Sequence, residues 1–313
     1  MATPEAAARP RSAKPDPTPS EGPDPYGNPD PEWLRIDWRE HLRTADIGGT
    51  SINYVEMGTG PGIDLVLVHG LSGCWQNWLE TIPHFARDHR VLAVDLPGFG
   101  ASPQAPWELT IPNYGRLLLD FCEELGVGDC VVVGNSMGGF ISAEAAIAAP
   151  DRFEKLVLVS AAGISSARMR REPAEMAGRL AVASSPLILN LQERGLRRPR
   201  LRFWAFQMIF HRPDLLRREL LWEFFHNGAG TDGFLPALVN LTGYDFHERL
   251  AEVEVPTLIV WGRDDRIVPS PDALEYGRLL RNSSTVIFDK TGHVPMAERP
   301  TRFNRVLETF LSQ

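Results

Sequence analysis

One stretch constrains this chain more than any other: Val131-Val132-Val133-Gly134-Asn135-Ser136-Met137-Gly138-Gly139. A run of β-branched residues stops at a glycine, a serine stands two residues later, and two more glycines follow. Residues 140–149 are small and alanine-rich, with good helix propensity. The pattern predicts a strand that turns sharply into a helix with Ser136 at the apex. The apical residue of such a turn is strained, which is tolerable only if the positions two before and two after are small. Gly134 and Gly138 meet that requirement. The helix N-terminus then sets backbone N–H groups and a positive dipole end beside the hydroxyl. The stretch alone also fits a serine that merely caps a helix. A nucleophilic serine needs a base, an acid to orient the base, and donors for an oxyanion.

The rest of the chain supplies a matching rhythm. Residues 43–47 and 51–57, split by Gly48-Gly49, read as a hairpin. Apolar runs at 63–69, 90–94, 130–134, 153–160, 256–261 and 285–289 read as buried strands. Helical spacing lies between and after them at 77–87, 110–125, 271–280 and 301–311. This alternation predicts an α/β fold with a doubly wound, mostly parallel sheet, whose site lies beyond the carboxyl ends of the strands. Residues 164–245 break the rhythm: they hold no convincing strand and read as helices interrupted at Pro173, Pro186, Gly195, Pro199 and Pro213. That is too long for an ordinary connection and is read as a lid over the carboxyl edge. The division is then a disordered Pro-rich tail at 1–32, a core at 33–163 and 246–313, and a helical lid at 164–245.

Three strand ends carry candidate chemistry. After Val68 comes His69-Gly70-Leu71, where Gly70 lets the backbone approach a substrate and the amide of Leu71, with that of Met137, makes a two-donor oxyanion hole. His69 reads as a ring that buttresses this loop. After Val260 comes Trp261-Gly262-Arg263-Asp264-Asp265, a source of the orienting acid, and spacing alone does not choose between the two aspartates. No Asp or Glu lies between Ser160 and Ser166 to take its place. After the last strand comes Gly292-His293-Val294. Of the eight histidines, His293 alone follows the acid on a loop after a strand. His211 and His226 fall in the helical stretch, and His84 and His89 flank a surface helix.

Composition narrows the function. With 313 residues and a formal charge of −8, the chain lacks the basic stripe of a nucleic-acid binder. No apolar run approaches the roughly 18 residues of a membrane span. Cys74, Cys122 and Cys130 show no metal spacing and no even disulfide framework, as expected of a reducing, cytoplasmic setting. The proline-rich start has no apolar secretory core. Residues 203–210 and 220–225 gather bulky apolar side chains, Trp204 and Trp222 among them. Most are expected to seal the lid's own core and the remainder to face the cleft. The lid holds twelve Arg against eight Asp or Glu, the composition of a solvated face, of a surface that steers anionic substrates, or of a peripheral contact with anionic lipid.

The order Ser, Asp, His, each just beyond a strand, completes the pattern. From about residue 47 onward the chain resembles the α/β-hydrolase superfamily, most of all the branch with a helical lid after the sixth strand. The resemblance rests on His69-Gly70, Asp95-Leu96-Pro97-Gly98-Phe99-Gly100-Ala101-Ser102, Gly134-Asn135-Ser136-Met137-Gly138-Gly139, Gly262-Arg263-Asp264-Asp265-Arg266-Ile267-Val268-Pro269 and Gly292-His293. It implies an eight-stranded sheet, Ser136 as nucleophile, His293 as base and, by the family's G-x-x-D-x-x-V-P pattern, Asp265 as the acid. Asp95 is carried over as a structural residue; Gly70, Trp204, Trp222 and Val294 are read as substrate contacts. The implied activity is hydrolysis of a small-molecule carboxylic ester of the esterase or lipase kind, with no metal or organic cofactor. The chain also resembles C–C bond hydrolases of aromatic ring cleavage. Those usually carry an arginine directly before a lid tryptophan, where this chain reads Leu221-Trp222. A tryptophan also tends to follow their catalytic histidine, whereas Val294-Pro295-Met296 follows His293, closer to esterases and lipases. Some members of the fold are catalytically weak or dead ligand binders, a role that an intact triad argues against. Ser136 rules out the relatives that need a carboxylate nucleophile.

Overall fold

In a computed structural model, which describes residues 24–226 and 231–313, the apolar runs assemble into one eight-stranded sheet. Its order is β1-β2-β4-β3-β5-β6-β7-β8. Strands β1 (Leu42–Ile47) and β2 (Thr50–Met57) form an antiparallel hairpin. Gly48 and Gly49 turn it, both at positive φ, the conformation a two-residue hairpin turn demands. There follow β3 (Asp64–Val68), α1 (Ile82–Phe85), β4 (Val91–Val94), α2 (Ile111–Glu124), β5 (Cys130–Asn135), α3 (Met137–Ala148) and β6 (Phe153–Val159). Strand β2 pairs antiparallel with β4, and from β4 across to β8 every pairing is parallel.

Side chains of one strand alternate between two cores, as the twofold period of a strand requires. Val66, Val68 and Val132 face the layer that holds Phe121 and Phe140 of α2 and α3. Leu65, Leu67, Val131 and Val133 face the layer built on Trp78 and Phe303. Burial on both faces is why these strands read as unbroken apolar runs rather than alternating ones.

Between β6 and β7 (Thr257–Gly262) the chain leaves the sheet for α4 (Ile164–Ala167), α5 (Arg171–Arg197), α6 (Pro199–Phe206), α7 (Arg218–His226) and α8 (Phe234–Leu241). It closes with α9 (Pro271–Leu279), β8 (Ser283–Phe288), α10 (Pro295–Glu298) and α11 (Pro300–Leu311).

Three expectations need correction. The helix expected over 77–87 is a 3-10 turn, Trp75–Trp78, followed by the four-residue α1. Pro83 sits in the first turn of α1, and its ring and missing N–H bar the helix from extending backwards. In the insert, no break occurs at Pro173, Pro186 or Gly195, because α5 runs unbroken for 27 residues. Pro173 falls in the first turn, where an N–H has no partner in any case, and residue 186 costs the ladder a single bond.

The tail expected at 1–32 divides: residues 1–23 lie outside the described residues, and 24–32 are tied to the rest of the fold by hydrogen bonds, with Gly27 and Pro31 buried. There the Gly27 amide donates to the Glu298 carbonyl at 2.8 Å, Asn28 Nδ2 to Glu80 at 2.9 Å, and Arg217 to the Pro29 carbonyl at 2.7 Å. Among the described residues no helix is long and apolar enough to cross a membrane.

Candidate active site

The turn from β5 into α3 is as tight as its glycines imply. Ser136 stands at φ 56° and ψ −118°, a region that costs an L-residue on the order of 1–3 kcal/mol. A Cβ on Gly134 would lie 2.4 Å from the Gly138 carbonyl oxygen, and one on Gly138 would lie 2.3 Å from that of Val68. The spacing of the two glycines is thus a packing requirement. The Ser136 carbonyl accepts from the amides of Phe140 and Ala162, which anchors the strained residue to the helix and to the end of β6.

The loop after β3 lies directly on this turn, since a Cβ on Gly70 would come within 2.9 Å of the Ser136 Cβ. Among the described residues, neither the amide of Leu71 nor that of Met137, the first residue of α3, donates a hydrogen bond. His69 supports the loop from beneath. Its Nε2 accepts the Leu96 amide at 2.9 Å, so Nδ1 carries the proton and donates to the Gly70 carbonyl at 2.7 Å. Burial lowers its pKa to about 4, which keeps the ring neutral in this buttressing role. Asp95 accepts from the amides of Trp75 and Ala101 and from Asn53 Nδ2, tying its own loop to β2 and to the segment after β3. Burial raises its carboxyl to about 6.

Geometry separates the neighbouring aspartates. Asp265 Oδ2 lies 2.7 Å from Nδ1 of His293, while its Oδ1 accepts the amides of Ile267 and Val268 at 2.8 and 3.0 Å. Asp264 turns outward, 3.6 Å from His211 Nδ1. His293 is held through its backbone as well: its amide donates to the Ile209 carbonyl at 2.8 Å, and its carbonyl accepts from Asn135 Nδ2 at 3.3 Å. Asn135 therefore links the serine turn to the histidine loop.

A residue that sequence reasoning missed holds the same loop. Glu298, fully buried, accepts the Gly292 amide with Oε1 and the His211 amide with Oε2, both at 2.8 Å, and also the Tyr26 hydroxyl. Burial raises its pKa to about 7. Nothing marks it in the sequence, because a glutamate near the start of a helix reads as surface.

Gly70, Leu71, Ser136, Met137, His293 and Val294 all line one cavity of about 490 Å³. The insert supplies much of the remaining wall, including Val182, Leu189, Phe224, Phe225, Leu238 and Leu241. No Asp, Glu, Lys or Arg lines it among the described residues.

Trp204 and Trp222, expected as substrate contacts, are not there. Trp204 is 69% exposed on α6, and Trp222 borders a separate groove with Trp33 and Arg218. Phe224, two residues after Trp222 in α7, faces the cavity, and a two-residue step turns a helix by about 200°. The tryptophan therefore points away. Phe206, Phe210, Leu220 and Leu221 are buried, but in the core layer that also holds Trp78 and Phe303 rather than in a core of the insert's own.

Residues 65–300 match the family model described as alpha/beta hydrolase fold. A 2-hydroxy-6-oxononadienedioate/2-hydroxy-6-oxononatrienedioate hydrolase of Burkholderia vietnamiensis is 30% identical over 273 residues, 83% of this chain and 90% of its own length. The dihydrolipoyllysine-residue acetyltransferase component of an acetoin cleaving system from Pseudomonas putida is 29% identical over 273 residues, 85% of this chain and 68% of its own. Among solved structures, a membrane phospholipase A superposes with a TM-score of 0.68 at 27% identity, covering 87% of this chain and 85% of that one.

Proposed function

The chain belongs to the α/β-hydrolase fold family, and from that premise we propose that it is a serine hydrolase of carboxylic esters with apolar acyl or aryl groups. In this reading Ser136 Oγ attacks the ester carbonyl carbon as His293 Nε2 takes its proton. Asp265 holds the imidazole and stabilises its cationic form. The amides of Leu71 and Met137 donate to the oxyanion, each such donor being worth about 10²–10³ in rate. The intermediate collapses, the alcohol leaves with the proton from His293, and an acyl group remains on Ser136. Water repeats the sequence to release the carboxylic acid. No step calls for a metal or organic cofactor. The helical insert serves as a lid whose inner wall selects the acyl group.

A single observation supports the proposal: Ser136 and His293, the latter bonded to Asp265 at 2.7 Å, line one cavity whose wall, among the described residues, holds no Asp, Glu, Lys or Arg. The C–C hydrolase reading has the Burkholderia relative on its side. A dienedioate carries two carboxylates, and a carboxylate buried without a cationic partner is strongly disfavoured. Neutral esters fit the wall better.

A panel of p-nitrophenyl esters of rising chain length, run beside a ring-cleavage dienoate, tests the choice. The proposal expects ester turnover that rises beyond acetate to a medium chain and then falls. Turnover of the dienoate with a higher kcat/KM than every ester overturns it.

A further inference from the structure

Helix α5 carries apolar residues on two opposite sides. One side, with Ala181, Ser185 and Leu189, lines the cavity. On the other, Met176, Leu180, Leu187 and Leu191 stand 72, 70, 74 and 48% exposed. Their spacing of four, seven and four residues aligns them in one outward stripe. A helix that merely roofs a pocket needs only one apolar side.

The stripe ends in positive charge. Arg194 and Arg197 occupy the last turn of α5, Arg198 joins the helices, and Arg200 opens α6; all four are exposed. None forms an ion pair among the described residues, whereas Arg179 on the same helix pairs with Glu175 at 2.7 Å. Helix α6 folds back on α5, bringing Ala205 beside Gly195, and it adds the exposed Trp204. Met208, 58% exposed, follows. Leucine, methionine and tryptophan bordered by unpaired arginines are the composition of a helix that lies in a membrane interface. The basic patch is local, on a chain whose formal charge is −8.

We propose that the outward face of α5, with the start of α6, docks on an anionic lipid surface. The leucine and methionine side chains enter the boundary between headgroups and acyl chains, the arginines meet lipid phosphates, and Trp204 sits at headgroup depth. The inference goes beyond ester hydrolysis and stands or falls without it.

Co-sedimentation of the full chain with vesicles tests this, using Ser136→Ala so that no lipid is consumed. Binding to phosphatidylcholine vesicles holding about 30% phosphatidylglycerol should be at least roughly tenfold tighter than to phosphatidylcholine alone, and should weaken as salt rises. Arg194→Glu with Arg198→Glu should lose at least about tenfold, a cation near such a surface being worth roughly fivefold. Leu180→Ser with Leu187→Ser should lose binding even at low salt. On the Ser136 background, both double variants should hydrolyse p-nitrophenyl acetate as the parent does. Equal binding to both vesicle types, no binding at low salt, or variants that bind like the parent overturn the proposal. So does a concentration-dependent dimer that Leu187→Ser dissolves while vesicles go unbound, which assigns the face to a second copy. Vesicle binding by a chain that hydrolyses no ester supports the docking while removing the functional reading.

Discussion

The carboxylate of Asp265 is fixed by its own loop before it meets His293: one oxygen accepts the amides of Ile267 and Val268, and the other lies 2.7 Å from Nδ1 of the imidazole. Asp265→Asn keeps the shape and removes the charge, so kcat should fall by about 10³–10⁴ with KM little changed. Asp264→Asn, whose carboxylate faces His211 instead, should leave kcat within about twofold, since it is a surface change. Steady-state kinetics on a p-nitrophenyl ester separates the two. Equal losses contradict the assignment.

Gly138 is held between backbone atoms. A methyl group there would meet the carbonyl oxygens of Val68 and His69 at 2.3 and 2.4 Å, and neither can swing aside as a side chain would. Gly138→Ala should therefore lower the unfolding free energy by at least about 2 kcal/mol, seen in urea titration, and displace the Ser136 turn so that ester hydrolysis fails in whatever remains folded. Gly128→Ala, at a glycine with open space around it, is the control and should change little.

Glu298 makes stability depend on pH. Its carboxyl is raised from 4.5 to about 7 by burial, so between those values the folded chain keeps a proton that the unfolded chain has shed. The contribution of this group to stability is therefore greatest at the acid end of the window. It falls as pH rises through it, by at most about 1.4 kcal/mol per pH unit. Glu298→Gln removes the titration and sets an amide N–H₂ against backbone donors, at a cost of about 1–3 kcal/mol. The parent's advantage over this variant should shrink between about pH 4.5 and 7 in urea unfolding; a constant difference speaks against the shifted carboxyl.

The cavity wall should set acyl length. Leu238→Trp fills space contributed by α8 and should cut kcat/KM for octanoate at least about tenfold while acetate is spared, a loss within the range for hydrophobic pockets. Trp204→Ala, at an exposed position outside the cavity, should leave soluble ester kinetics unchanged. Loss of short and long substrates alike in Leu238→Trp points to misfolding or to a different binding mode.

Much of this arrangement was legible in residues that carry local signs. The strand ends and the glycines around Ser136 follow from short-range geometry, whereas Asp265 was named only by the family pattern. The choice between Asp264 and Asp265 was not visible in spacing, because adjacent side chains point in different directions once the loop folds. Trp204 and Trp222 misled for a related reason. Bulk and apolarity say that a side chain should be covered, and only packing says which side of a helix is inward. Phe224 and Phe225 took the cavity instead. The ordered segment from residue 24 stayed hidden in a proline-rich composition, since its attachment depends on Glu80 and Glu298, both distant in sequence.

The proposed hydrolysis rests on the hydroxyl of Ser136 being the attacking group. A fluorophosphonate probe, followed by peptide mapping and by residual activity on a p-nitrophenyl ester, measures that directly. One adduct per chain is expected, on Ser136, forming in step with the loss of hydrolysis and absent in both Ser136→Ala and His293→Ala. Hydrolysis that persists in Ser136→Ala, or an adduct on another residue that silences the enzyme, contradicts it.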